Sequence, residues 1–285
     1  MRPDDDSCRR MDDVEVAIEE NQDTINLLAW VTSFLEEDEN LEDQAGFFDR
    51  LRTLTGMPDS DSETMFDVAD YILWALDNDM ELSFDLTEED LRYVKLADEA
   101  GQYEDYAAQP DQTQLGTWEL QELFSEMSRV LRGDLDMDEA VVLTRYFPQA
   151  EEADRLPIFM LLAGHAGNIT PLLELFNNHI LPNPRPTSQV WLNYYKCNSC
   201  WGDDKHMMEV RFCNGPDLAQ CETLKNFSEA QDETNGAISN VDFERWLQEN
   251  RDQYVQANEL PSYDIRDICN VEYEYDASAA PFLDV

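Results

Sequence analysis

The stretch that most constrains this chain runs from Leu156 to Pro171. Leu156–Ala163 is almost purely apolar, stops at the small-residue turn Gly164-His165-Ala166-Gly167, and restarts as a helix at Thr170-Pro171. The run is too short to span a membrane, which takes ~20 apolar residues. Its length suits a strand buried on both faces. Thr170 offers a hydroxyl cap and Pro171 a preferred first helical residue. A strand, a turn and a helix start place the turn residues at the carboxyl end of a sheet, where α/β folds bind their ligands. Helix starts also attract anions, because unpaired N–H groups and the helix dipole point there. His165 is therefore the candidate site residue, against the alternative of a satisfied structural histidine.

Charge narrows the partners. The 285 residues carry 63 Asp and Glu against 19 Lys and Arg, a net −44, and Lys occurs only at 95, 196, 205 and 225. Such a surface repels nucleic acid and anionic membranes. It fits adaptation to salty or calcium-rich surroundings, or an acidic mimic or cation buffer. With 42% hydrophobic residues there is ample material for a core. No stretch reaches transmembrane length, and Met1–Asp6 has no apolar signal segment, which implies the cytosol. Six cysteines point instead to an oxidised compartment.

Along the chain, residues 1–24 read as a frayed acidic lead-in. Apolar stripes at helical spacing come next: Leu27, Leu28, Val31, Phe34 and Leu35; Phe47, Phe48, Leu51 and Leu54; Met65, Val68, Ala69, Ile72 and Leu73; Leu91, Val94 and Leu96. These stripes are packing faces of a helical module over 25–110. Asp77, Asp79, Glu81 and Glu88 have part of an EF-hand spacing, but Leu82 stands where the turn needs Gly. Residues 116–131 form a long amphipathic helix, and a helix is expected over 171–180 after the focal strand. Gln189–Lys196 and His206–Phe212 read as an antiparallel hairpin. Leu224–Ala230 and Val241–Tyr254 read as helical, and 271–285 as an acidic tail.

The focal stretch and the segments after it resemble one family, the histidine acid phosphatases of the histidine phosphatase superfamily (branch 2). Leu161-Leu162-Ala163-Gly164-His165-Ala166 looks like its hydrophobic strand ending in His-Asp. The Pro-rich link 181–186, the hairpin, Asn214-Gly215 and Cys221-Glu222-Thr223-Leu224-Lys225-Asn226-Phe227 come in the family's order. Phe48–Gly56 and the helices to Leu131, with a Gln-Leu-Gly turn at 114–116, look like its helical cap. The resemblance covers about residues 40–270. It implies an α/β, phosphoglycerate-mutase-like fold, with the helical cap (25–110) plus the second half of the α/β core (111–270). It implies phosphomonoester hydrolysis through a phosphohistidine, no cofactor, and a secreted or lysosomal setting. His165 takes the phosphate-binding role. It also supports a disulfide near Cys221 and places Cys269 at a C-terminal family cysteine.

Two departures bear on activity. No Arg-His-Gly nucleophile segment occurs, the histidines being only His165, His179 and His206, and Ala166 stands where the family carries its acidic proton donor. The expectation is a chain that is inactive alone, as a pseudoenzyme or a fragment. The alternative is an active phosphatase whose catalytic segment lies on a longer chain or partner. A sheet without its first strands would leave an edge open to self-association. Cys197, Cys200, Cys213, Cys221 and Cys269 are the disulfide candidates. Cys197-x2-Cys200 has knuckle spacing for zinc, but Cys213 and Cys221 do not complete it, so no metal is assigned. Asn168-Ile169-Thr170 and Asn226-Phe227-Ser228 fit the glycosylation pattern, the first in an inaccessible turn.

Overall fold

In the computed structural model, the described residues are 8, 10, 14, 22–36, 46–106, 110–148, 161–162, 166–176, 184, 188–196, 205–214, 221–232 and 235–271. Nine α-helices lie among them: α1 (Gln22–Glu36), α2 (Phe47–Thr55), α3 (Ser62–Asp77), α4 (Glu88–Tyr106), α5 (Pro110–Arg132), α6 (Val141–Tyr146), α7 (Ala166–Leu175), α8 (Asn240–Ala257) and α9 (Ile265–Ile268). The sheet has four strands, β1 (Gln189–Lys196), β2 (His206–Cys213), β3 (Glu222–Thr223) and β4 (Ile238–Ser239).

The helical module forms because each stripe buries part of its length, although Phe34 and Leu54, expected in the packing faces, are 42% and 37% exposed. Phe48, Leu51, Met65, Ala69, Ile72, Val94 and Ala97 are buried in one cluster drawn from α2, α3 and α4, with Val31 and Leu35 of α1. Its helices are capped by short polar side chains. The Thr64 N–H donates to Asp61 Oδ1 at 3.0 Å at the start of α3. Thr87 and Asp90 form a reciprocal box at the start of α4: the Thr87 N–H donates to Asp90 Oδ2 (3.0 Å) and the Asp90 N–H to Thr87 Oγ1 (3.1 Å). Arg50 of α2 also bonds the Asp90 carboxylate and ties the two helices.

Burial pushes the Asp90 pKa up, but the bonds from Thr87 and Arg50 outweigh it and hold the group below the ordinary aspartate value. A depressed folded-state pKa stabilises above the unfolded value, and that stability is lost as pH falls through the folded one. Acid titration of unfolding should therefore show Asp90→Asn losing part of the wild-type acid-side slope. An unchanged slope in the variant would sink this role.

The second core is larger. α5 contributes Leu120, Leu123, Phe124 and Met127, and α7 contributes Leu172, Leu173 and Leu175, with Phe176 just beyond its end. These pack with Met208, Val210 and Phe212 of β2 and with Phe243 and Leu247 of α8. β1 and β2 are antiparallel over their whole length, from Gln189 opposite Cys213 to Lys196 opposite His206. β3 and β4 pair antiparallel with different parts of β2, and β1 is the outer strand. A serine cap starts α8, where the Asp242 N–H donates to Ser239 Oγ at 3.1 Å.

Several sequence expectations change. Leu161 and Leu162 are in no strand and are 73% and 43% exposed, so at these two positions the doubly buried strand is corrected. The remainder of Leu156–Ala163 lies outside the described residues. Every strand pair described is antiparallel, so the parallel core of a phosphoglycerate-mutase-like fold has no pair among the described residues. Thr170 and Pro171 do not start the helix, which begins at Ala166 and carries Pro171 inside it. There α5 and α7 meet at contact distance: a Cβ added to Gly116 would sit 3.5 Å from the Pro171 ring. Gln114–Gly116 is helical, within α5, and not a turn.

Leu224–Ala230 is a loop rather than a helix. Asn226 has φ +68°, and the buried Gln231 amide donates to the carbonyls of Leu224 (2.7 Å) and Gly236 (2.6 Å), supplying bonds a helix would otherwise make. The lead-in is not wholly frayed, because Cys8, Arg10 and Val14 are buried. Cys8 is bonded to Cys269. The Arg10 N–H donates to the Cys269 carbonyl (3.2 Å), its Nε to the Tyr254 hydroxyl (3.1 Å) and its Nη2 to Asn258 Oδ1 (2.6 Å). With Leu115, Trp118 and Ile268 these residues make a third, smaller core.

Candidate functional site

The site expected around His165 borders the helix that comes after it. Ala166 is the first residue of α7, so the position after His165 is a helix start. His165 itself, with Ala163 and Gly164, lies outside the described residues, as does His179. α7 is held by its apolar side, Leu172, Leu173 and Leu175, against α5 and the sheet. Thr170 is fully buried, and its hydroxyl has no hydrogen-bond partner. Its sequon lies in helix α7 and not in a turn, with Asn168 itself only half-buried, whereas Asn226 of the other sequon is exposed.

α5 carries buried polar side chains near the position where it meets α7. Thr117 donates to the Thr113 carbonyl (2.7 Å), and Gln121 Nε2 donates to Thr117 Oγ1 (2.9 Å) and Gln114 Oε1 (3.1 Å). The donors of Thr117 and Gln121 are thus paired within the helix, while Gln121 Oε1 is buried without a partner. Lower on the same helix, Glu126 reaches across to accept the Leu143 N–H at 2.7 Å, capping α6 from a distance. Glu119 accepts from the Tyr146 hydroxyl (2.6 Å) and pairs with Arg145 (2.9 Å).

Titration properties identify no proton donor beside Ala166. Among the described residues, the carboxyl groups raised above their ordinary value are Asp70 and Glu122, each chiefly by burial. Asp70 belongs to the helical module. Glu122 lies on α5 facing the buried Arg251 of α8, whose own pKa burial lowers. Asp and Glu in such places hold helices together as readily as they move protons. His206, the one described histidine, sits at the hairpin tip opposite Lys196. Burial lowers its pKa, and Lys196 and Lys205 lower it further.

Of the cysteine candidates, Cys213 and Cys221 are bonded to each other, closing the loop after β2, and Cys269 is bonded to Cys8. Cys197 and Cys200 lie outside the described residues. No group of three or more His, Cys, Asp or Glu among the described residues comes together as a metal site, including Asp77, Asp79 and Glu81. No helix among them is long and apolar enough to cross a membrane. The Cys8 bond was the pairing that spacing could not reveal, since its two ends lie 261 residues apart.

Compared with family models, with curated proteins and with solved structures, the chain matches none of them.

Proposed function

We propose that this chain is a histidine-acid-phosphatase-like protein that binds through the remnant of a phosphatase site and does not hydrolyse phosphomonoesters by itself. The observation that carries the reading is Ala166. A phosphate-binding histidine just before a helix start is a sound anion site, because the first N–H groups of a helix are unpaired and its dipole favours negative charge. The residue at that start, however, has no proton to give a leaving oxygen. Without an Arg-His-Gly segment there is also no nucleophile to carry the phosphoryl group.

The order of parts supports the reading further. α7 comes after His165, a hairpin after α7, and a cysteine-closed loop leads to Leu224 and Phe227, both buried in the main core. Self-association belongs to the same proposal, through the outer edge of β1, which pairs with no other strand than β2 among the described residues. A monomer by light scattering at high concentration would count against that part.

The test of activity is direct. Purified chain incubated with p-nitrophenyl phosphate, from acid to neutral pH, should release no nitrophenol above the blank. Turnover that disappears in His165→Ala would overturn the proposal and favour a working enzyme. Restoring the acid with Ala166→Asp should not by itself create turnover, since the nucleophile is still lacking.

A further inference from the structure

The hairpin has two faces with different duties. Val190, Leu192 and Tyr194 of β1 and Met208, Val210 and Phe212 of β2 point to the main core. The alternate residues face the other way, because successive strand side chains point to opposite sides. On that second face a cleft of about 230 Å³ is lined by Trp191, Asn193, Arg211, Cys213 and Cys221. Trp191 and Arg211 are directly opposite each other in the ladder. The Cys213–Cys221 bond makes one wall of the cleft covalent.

Arg211 is the unusual member. Its Nε is buried and has no hydrogen-bond partner, while its Nη2 makes a single long bond, 3.3 Å, to the Cys221 carbonyl. A guanidinium is always charged and cannot discard the unsatisfied proton, so a desolvated Nε–H is a donor waiting for an acceptor. Nearby acidic groups do not serve it: Glu209, on the same face, accepts instead from the Thr223 hydroxyl at 2.6 Å.

We infer that this cleft is a binding site for a small monocarboxylate carried on a flat ring. Along one edge of any guanidinium the Nε–H and an Nη–H lie side by side, matching the two oxygens of one carboxylate, which is the geometry that makes such pairs strong and specific. Asn193 brings an amide to the same cleft, and the Trp191 indole supplies an aromatic wall for a ring. The volume is below that of sites for drug-sized molecules, which limits the ligand to about one ring. Charge selects against phosphate. One guanidinium in a chain of net −44 offsets a single negative charge, and a dianion is repelled twice as strongly by the surrounding carboxylates. The site is separate from the His165 region and stands independently of the phosphatase reading.

The test is calorimetric titration of the full chain carrying His165→Ala, so that the phosphate site proposed there adds no heat, disulfides intact, with benzoate, benzamide and inorganic phosphate. Benzoate should bind saturably at one site, with benzamide and phosphate each at least about tenfold weaker. Arg211→Lys keeps the charge but not the fork, and should weaken benzoate about tenfold while far-ultraviolet circular dichroism stays unchanged. In the wild-type chain, benzoate should also shift the Arg211 Nε–H resonance and slow its exchange with solvent, a readout that needs no variant. Equal affinity for benzoate and benzamide, tighter binding of phosphate, or a silent Arg211 resonance would each overturn the inference.

Discussion

Replacing Cys8 and Cys269 together by serine is expected to destabilise the fold by about 3–5 kcal/mol, the largest effect of any covalent change to this chain. The bond joins positions 261 residues apart, and the loop entropy it removes from the unfolded chain grows with the logarithm of that span. Cys213 and Cys221 are only eight residues apart, so their replacement should cost less, about 2 kcal/mol on the same reasoning. Denaturant unfolding of the two double variants gives the comparison. A Cys8/Cys269 loss below about 1 kcal/mol would show that the Arg10 bonds to Tyr254 and Asn258 hold the N-terminal segment without the sulfurs. The reverse ranking of the two bonds would sink the entropic argument altogether.

The second large effect lies in the main core. Phe176→Ala should cost about 3–5 kcal/mol, because the ring is fully enclosed and its removal leaves a cavity in the main core. The ring sits 5.6 Å from Trp246 and 6.5 Å from Phe243 in stacked arrangements, and 5.2 Å from Phe227 edge to face. Removing it deletes contacts from α8 and from the loop after β3 at once, so the loss is shared between elements far apart in sequence. Near-ultraviolet circular dichroism should lose part of the Trp246 signal, and the unfolding midpoint should fall. The control is Trp30→Ala on α1, where the side chain is 60% exposed and the change should stay within about 0.5 kcal/mol. Equal losses at the two positions would mean that Phe176 is not the centre of this core.

Local pattern made much of this architecture legible. The apolar spacing marks α1 to α4 because each helix buries one stripe, and the alternating runs mark β1 and β2 to within a residue because both strands have one core face. What escaped the sequence was long-range. Leu224 and Phe227 are spaced as on a helix, yet both are buried from a loop whose carbonyls Gln231 satisfies. Thr170 and Pro171 have the residue types of a helix start, but α7 begins at Ala166 and carries both inside it, with Pro171 against Gly116 of α5. The burial of Arg10 depends on Tyr254 and Asn258, partners no local window contains. For the site, residue chemistry singled out His165 and Ala166. The cleft at Arg211 carried no sequence signal, because it arises from cross-strand register and a single unsatisfied donor.

The bond between Cys8 and Cys269 also sets how the molecule would carry load. Tension applied at the two ends passes from one sulfur to the other and bypasses everything between them. Pulled from points on either side of the ring in an optical trap, the oxidised chain should therefore lengthen only by the segments outside the ring, and the helices and sheet inside it would feel no force. The same ring protects against a single cut: a protease that severs one peptide bond between positions 8 and 269 leaves one covalent molecule, whose two pieces part only after reduction.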